Sequence, residues 1–180
     1  RRITRELLEV MRDYRHPVSI ITKGGLILRD LDLLAELAAD GLCSVSVSLT
    51  TLDNDLKRRL EPRAASPATR LKVVRELTAA GVPTSVLLAP MIPFINDAEM
   101  EALLEAAAGA GARQAGWILL RLPLEIAELF EDWLQRHYPD RAEHVMARIR
   151  DLRGGKLYQS EFGKRMRGQG VYADLLSQRF

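Results

Sequence analysis

The sequence predicts an α/β fold built on a parallel sheet, and three observations predict it. Four short runs rich in β-branched and apolar residues begin at Val18, Val45, Thr84 and Ala115, about 27, 39 and 31 residues apart. The segments between them carry apolar residues three and four apart, the spacing of an amphipathic helix. Helix-ending glycines, Gly41, Gly81 and Gly111, fall just ahead of three of the runs. Alternation at this interval argues for βα units with right-handed crossovers. The runs are nearly continuous in apolar residues, which predicts a sheet covered on both faces. Four units are too few for a closed eight-stranded barrel. They suit half a barrel or a small doubly wound sheet.

Taken in order, residues 3–14 place Ile3, Leu7, Val10, Met11 and Tyr14 on one helical face. His16-Pro17 ends that helix, because the residue before proline avoids the helical region. Val18–Thr22 is a short strand that runs into Lys23-Gly24-Gly25. A second helix covers Leu31–Leu37, with Asp30 as N-cap and Gly41 beyond its end. The strand at Val45–Leu49 leads through Thr50-Thr51 into a long charged loop containing Glu61-Pro62-Arg63. Ser66 as N-cap and Pro67 at the first helical position open a helix to about Ala80. Thr84–Ala89 is the third strand and exits through Pro90–Asp97, with Asp97 as cap of the next helix. Gly116–Arg121 is the fourth strand, leaving through Leu122-Pro123, and helices near 125–137 and 141–152 follow. From Gly154 the texture turns to glycine, basic and aromatic residues, predicting an irregular extension with a short helix near Tyr172–Gln178. The predicted organisation is residues 1–153 as the βα region and 154–180 as the basic aromatic extension.

The bulk numbers bound the function classes. At 180 residues, 47% hydrophobic and 28% charged, the chain is an ordinary globular domain. Its 26 basic and 24 acidic residues leave a charge of only +2. No apolar run approaches the roughly 20 residues of a membrane span. The chain opens with Arg1-Arg2 and not with Met, as a trimmed or fragmentary chain would. One cysteine, Cys43, excludes an intrachain disulfide and points to a reducing, cytoplasmic setting. One Cys with three scattered His (His16, His137, His144) does not make a sulfur-rich metal site.

The chemistry-bearing residues gather at the strand exits, where parallel α/β folds build their sites. Lys23, Arg63 and Arg70 suit a carboxylate or phosphate, and Ser48 and Thr50 suit a sugar hydroxyl. Together they describe a site for a polar, anionic small molecule. There is no P-loop, no GxGxxG and no HExxH. The plainer alternatives are specific. Glu61 and Arg63 would form a loop ion pair, Arg121 would pair with Glu125, Ser46 would be structural, and Cys43, Trp117 and Trp133 would be core residues.

Several blocks together resemble radical S-adenosylmethionine (SAM) proteins. They are SIITKGGLILRDLDLLAELA, VSVSLTTLD, EPRAASPATRL, AGVPTSVLLAPMIPFIND, WILLRLP and GGKLYQSEFGKRMRGQGVYADLL. The similarity is to the spore-photoproduct-lyase-like branch, in particular a bacterial group of uncharacterised proteins within it. The resemblance implies four strands of a (β/α)6 partial TIM barrel, its strands three to six. It implies SAM and a [4Fe–4S] cluster whose CxxxCxxC loop would lie upstream of Arg1, since no such loop is present here. In such proteins reductive cleavage of SAM at the cluster starts radical chemistry on a substrate. By resemblance, Lys23 contacts SAM, Ser48 reaches its ribose or methionine part, and Thr50 stands with it. Pro90 and Ile92 place backbone near the adenine, and Leu122 flanks it. Arg63 and Arg70 match the EPR…R block without individual roles. No residue of this chain is expected to be catalytic or to bind metal, and the chain alone is expected to be inactive.

The alternative is a nucleic-acid-binding module without catalysis of its own. Residues from Asp151 onward hold six basic and three acidic residues with four aromatics, and Lys164, Arg165 and Arg167 are the candidate phosphate contacts. The plain alternative is that these aromatics pack the tail onto the core.

Overall fold

Short β-branched runs need neighbours for their backbone groups, and a parallel sheet provides them. The computed structural model describes residues 3–180; Arg1 and Arg2 lie outside the described residues. Strands β1 (Val18–Thr22), β2 (Cys43–Ser48), β3 (Thr84–Met91) and β4 (Gln114–Leu119) form one sheet in the order β1-β2-β3-β4. The sheet is parallel, with Val18 opposite Cys43 and Thr22 opposite Val47, then Val45 opposite Thr84 and Ser48 opposite Leu87. The α/β class predicted from the alternation is therefore the observed one. Helices α1 (Ile3–Asp13), α2 (Leu31–Ala39), α3 (Asn54–Leu60), α4 (Pro67–Ala79), α5 (Met100–Gly109), α6 (Ile126–His137), α7 (Pro139–Asp151), α8 (Lys164–Arg167) and α9 (Val171–Arg179) complete the described residues.

Contacts group the chain into two units. The first runs to Leu87 and includes Leu103–Gly116. Its core is built from Leu33, Leu34 and Leu37 of α2, Val45 and Val47 of β2, and Val73, Val74 and Leu77 of α4. Ser66 caps α4 as the sequence predicts, its hydroxyl accepting from the Thr69 N–H at 3.2 Å, with Pro67 at the first helical position. Gly41 and Gly81 close α2 and α4 with φ of 72° and 78°, a region other residues enter at a cost.

The expectation of a sheet covered on both faces does not hold in this unit. Val45 and Val47 are buried, but Ser44 is exposed and Ser46 is half-buried. In β1, Ile21 is 66% exposed. Period-two alternation puts Ser44 and Ser46 on the face away from the helices, where Ser44 donates to Ser19 at 3.2 Å and Ser46 meets Ser85 at 2.6 Å. Side-chain hydroxyl pairs occupy that face instead of apolar packing.

Two further expectations are corrected. The charged loop after β2 contains the helix α3, capped by Asp53, whose carboxylate accepts from the Asp55 N–H at 2.7 Å. Asp30 stands at the start of α2 without capping it; it is buried and pairs with Arg5 at 3.5 Å and Arg29 at 3.6 Å. A 3-10 helix, Gly25–Asp30, precedes it.

The second unit holds Leu88–Ala102 and Trp117–Phe180. Trp117, Leu119, Met91, Ile92 and Met100 are buried with Leu134 of α6, Val145 and Ile149 of α7, and Leu176 of α9. Asp97 begins a 3-10 turn, Asp97–Glu99, ahead of α5. Its carboxylate accepts a hydrogen bond from the Tyr172 hydroxyl. The tail is more regular than the sequence predicts, with α8 and α9 both helical. Arg121 donates to the Tyr158 hydroxyl at 2.9 Å, not to Glu125.

Candidate functional site

The register of β1 against β2 sets the first unit's site. Thr22 lies opposite Val47, so the next residue, Lys23, stands beside Ser48. Two adjacent parallel strands thus deliver a cation and a hydroxyl to the same edge of the sheet. Behind them, α3 ends at Glu61 and α4 begins at Pro67. Arg70, in the first turn of α4, is 2% exposed.

Glu61 joins these elements. The Lys23 ammonium donates to Glu61 Oε1. Arg70 Nη2 donates to Glu61 Oε2 at 2.5 Å. Thr50, itself 1% exposed, donates from its hydroxyl at 3.3 Å to the same carboxylate. The remaining Arg70 donors go to two backbone carbonyls and, from Nη1 at 3.5 Å, to the Thr50 hydroxyl. Nη1 reaches the Ser48 carbonyl at 3.0 Å and Nε reaches the Ala65 carbonyl at 3.0 Å. One guanidinium therefore holds the end of β2 and the loop before α4, as its planar fork of five donors permits.

The electrostatics follow from burial. Burial alone would raise the Glu61 pKa, but hydrogen bonds from Lys23 and Arg70 and their charges outweigh it, and the carboxyl is held below its ordinary value. Two cations against one carboxylate leave one positive charge. Lys23 is the exposed member, with 43% of its side chain accessible against 3% for Arg70. An ammonium has three protons, so one can serve Glu61 while others face an incoming anion.

Of the predicted set, Lys23, Ser48, Thr50 and Arg70 come together. Glu61, matched in the sequence but left without a role, is the centre of the network. Arg63 does not join it; it is exposed and forms no ion pair among the described residues. Glu61 pairs with Lys23 and Arg70 and not with Arg63, which replaces the expected loop pair. The first unit also has a cavity of about 580 Å³ at the strand starts, lined by Ser46, Pro83, Thr84 and Arg113. It opens at the opposite strand ends from Lys23 and Ser48.

Pro90, Ile92 and Leu122 belong to the second unit. There the Asn96 amide braces the β3 exit. Its Oδ1 accepts from the Ile92 N–H at 2.7 Å and its Nδ2 donates to the Pro90 carbonyl at 2.9 Å. Ile92 is 0% and Leu122 1% exposed, so their side chains are core and any ligand contact falls to backbone. Lys164 pairs with Glu161 at 3.0 Å, Arg165 lies over the Phe162 ring and Arg167 over Trp117 at 4.4 Å. Each candidate phosphate contact thus already has a partner within the chain.

Cys43 does not fit a metal or cluster. It is buried, and burial pushes its thiol pKa up, away from the thiolate that ligates iron. Among the described residues no group of three or more His, Cys, Asp or Glu could hold a metal ion. The Lys23–Glu61–Arg70 group does fit a zwitterionic or anionic ligand by its residual charge and its hydroxyl neighbours.

The radical SAM superfamily model matches residues 1–107. An uncharacterized protein of Mycobacterium tuberculosis (strain H37Rv) is 36% identical over 138 residues, covering 76% of this chain and 39% of that protein. Another, from Methanocaldococcus jannaschii, is 30% identical over 98 residues, covering 54% of this chain and 36% of the other. A third, from Acidianus two-tailed virus, is 36% identical over 74 residues, or 41% of this chain and 24% of the viral protein. The matched segments cover well under half the length of each of these relatives.

Proposed function

The chain belongs to the radical SAM superfamily, and from that premise we propose that it is the SAM-binding part of an enzyme of the spore-photoproduct-lyase-like branch. The family supports SAM-dependent radical chemistry and, with it, SAM and a [4Fe–4S] cluster. The order of the matched blocks supports the branch. Residues here do not fit the cluster, so its ligands would come from a segment upstream of Arg1 in the intact protein.

The observation that carries the reading is the Lys23–Glu61–Arg70 network at the exits of β1 and β2. When bound, SAM would bring an adenosyl group, a sulfonium and an amino-acid end. Lys23 would face the carboxylate of that end while remaining tied to Glu61. Ser48 and Thr50 would position the sugar. Arg70 would act indirectly, fixing the Ser48 carbonyl and the Glu61 carboxylate so that Lys23 cannot swing away. Arg63, outside the network and exposed, would reach only the outer part of the ligand. In the second unit, Asn96 holds the Pro90–Ile92 backbone in place.

The test is made on the intact protein, upstream residues included, purified without oxygen. It should contain iron and, given a reductant, release methionine and 5′-deoxyadenosine from SAM. A preparation with no iron and no SAM turnover would refute the enzyme reading. The 180-residue chain alone should bind SAM weakly and without iron.

A further inference from the structure

The second unit carries an open cavity that the SAM reading does not use. It is about 560 Å³, and Arg153, Lys156 and Lys164 line it with one carboxylate, Glu161. Glu161 is already bound to Lys164 at 3.0 Å. Lys156 has no ion-pair partner among the described residues.

Arg153 is the unusual member. It is 1% exposed and meets no carboxylate among the described residues. Its two terminal nitrogens donate to the carbonyls of Lys164, Arg165, Leu119 and Leu120, at 3.1, 2.8, 3.5 and 2.9 Å. Those bonds satisfy its protons but not its charge, and its Nε is buried with no partner. Arg121, bonded to the Tyr158 hydroxyl on the cavity wall, adds a like charge that Arg153 feels. A buried guanidinium with a second, half-buried one nearby and no anion of its own is costly.

A second orphan lies on the same wall. The Gln159 amide is oriented by its Nε2, which donates to Glu161 Oε2 at 3.2 Å. That orientation leaves Gln159 Oε1 buried and without a donor among the described residues. The cavity therefore lacks an anion beyond the Lys164-bound Glu161, and a hydrogen-bond donor for Gln159 Oε1. A lone carboxylate would supply only the first. A phosphate ester carries up to two charges and three acceptor oxygens, which suits three cations against one carboxylate. A hydroxyl on the same molecule would serve Gln159.

We propose that this cavity binds the phosphate of a hydroxyl-bearing phosphate ester, with Lys156 and Lys164 facing the phosphate, the buried Arg153 guanidinium adding its charge from behind them, and Gln159 accepting from the hydroxyl. The phosphate belongs either to a free sugar phosphate or to a nucleic-acid backbone. The proposal does not depend on SAM binding, and a protein that fails to bind SAM would leave it untouched.

The test is calorimetric titration of the protein with ribose 5-phosphate at low ionic strength. Ribose itself should not bind. The double variant Lys156→Ala/Lys164→Ala should weaken binding about tenfold or more. Gln159→Leu should weaken ribose 5-phosphate but leave inorganic phosphate unchanged. The double variant Lys72→Ala/Arg75→Ala removes the same charge from the exposed side of α4 and should keep the wild-type affinity. An unphosphorylated eight-nucleotide single strand that displaces ribose 5-phosphate marks the phosphodiester backbone as the source. Failure to displace it marks a small sugar phosphate. The proposal is overturned if ribose 5-phosphate does not bind. It is equally overturned if both double variants weaken binding alike, since that would be diffuse surface attraction.

Discussion

Glu61 sits between two cations of unequal exposure, and that inequality sets what each substitution does. Replacing it by Gln leaves Arg70 buried without its carboxylate, which should cost about 3 kcal/mol of stability. Lys23→Met removes a partner whose side chain is 43% exposed, so the loss should stay under about 1 kcal/mol. Urea unfolding of the two variants checks the order; equal losses would contradict the network. The same carboxyl sets a pH dependence. Its folded pKa lies below its ordinary 4.5, so the folded state binds its proton less readily than the unfolded chain does. That stabilisation is present in full above about 4.5 and is lost as pH falls through the folded value. Asp32 and Glu101, each held down at about 2 by an arginine, titrate in the same direction from the surface. Glu61→Gln should therefore flatten, without abolishing, the fall in stability below pH 4.5 measured by acid unfolding. A wild-type slope in that variant would mean that Glu61 is not ionised in the network.

The elements differ in how plainly the sequence announces them. Ser66-Pro67 and the closing glycines are punctuation with a local physical cause, and the structure places the helix ends where they predict. Helix α3 was hidden because Asp53–Leu60 is mostly charged and buries only Leu56. Its signal was electrostatic: Asp53 at the N-cap and Lys57, Arg58 and Arg59 in the last turn complement the helix dipole. Contacts far apart in sequence were not legible at all. Nothing local says that Asp97 waits for Tyr172, or that Arg70 reaches back to Ser48. The first of these governs α9. Burial and then the bond to Asp97 push the Tyr172 phenol above its ordinary pKa, so it remains a donor. Arg179 adds the Glu101 carboxylate at 2.7 Å and the Asp97 carbonyl at 3.0 Å. Tyr172→Phe leaves the buried Asp97 carboxylate without that donor and should loosen α9 by about 1–3 kcal/mol. Hydrogen exchange should show faster exchange in Val171–Arg179 than in α4. Unchanged protection of α9 would show that the bond anchors nothing.

At the scale of the whole molecule, the parallel sheet follows from the βα rhythm, and the superfamily match agrees with it; the order β1-β2-β3-β4 is the half-barrel alternative of the two that the rhythm left open. No helix among the described residues is long and apolar enough to cross a membrane. The sequence expectation failed where it judged coverage. Alternating serines were read as part of apolar runs, while the structure gives them a face of their own. The candidate site was legible as a set of residue types at strand exits, because parallel folds gather polar groups there. Its connectivity, with Glu61 at the centre and Arg63 outside, was not legible, because ion-pair choice depends on where α3 ends. The most direct test is the equilibrium affinity of the oxygen-free intact protein for SAM, measured for wild type and Lys23→Met. Binding should weaken about tenfold or more while the unfolding midpoint barely moves. An unchanged affinity would contradict the placement of SAM at the β1 and β2 exits.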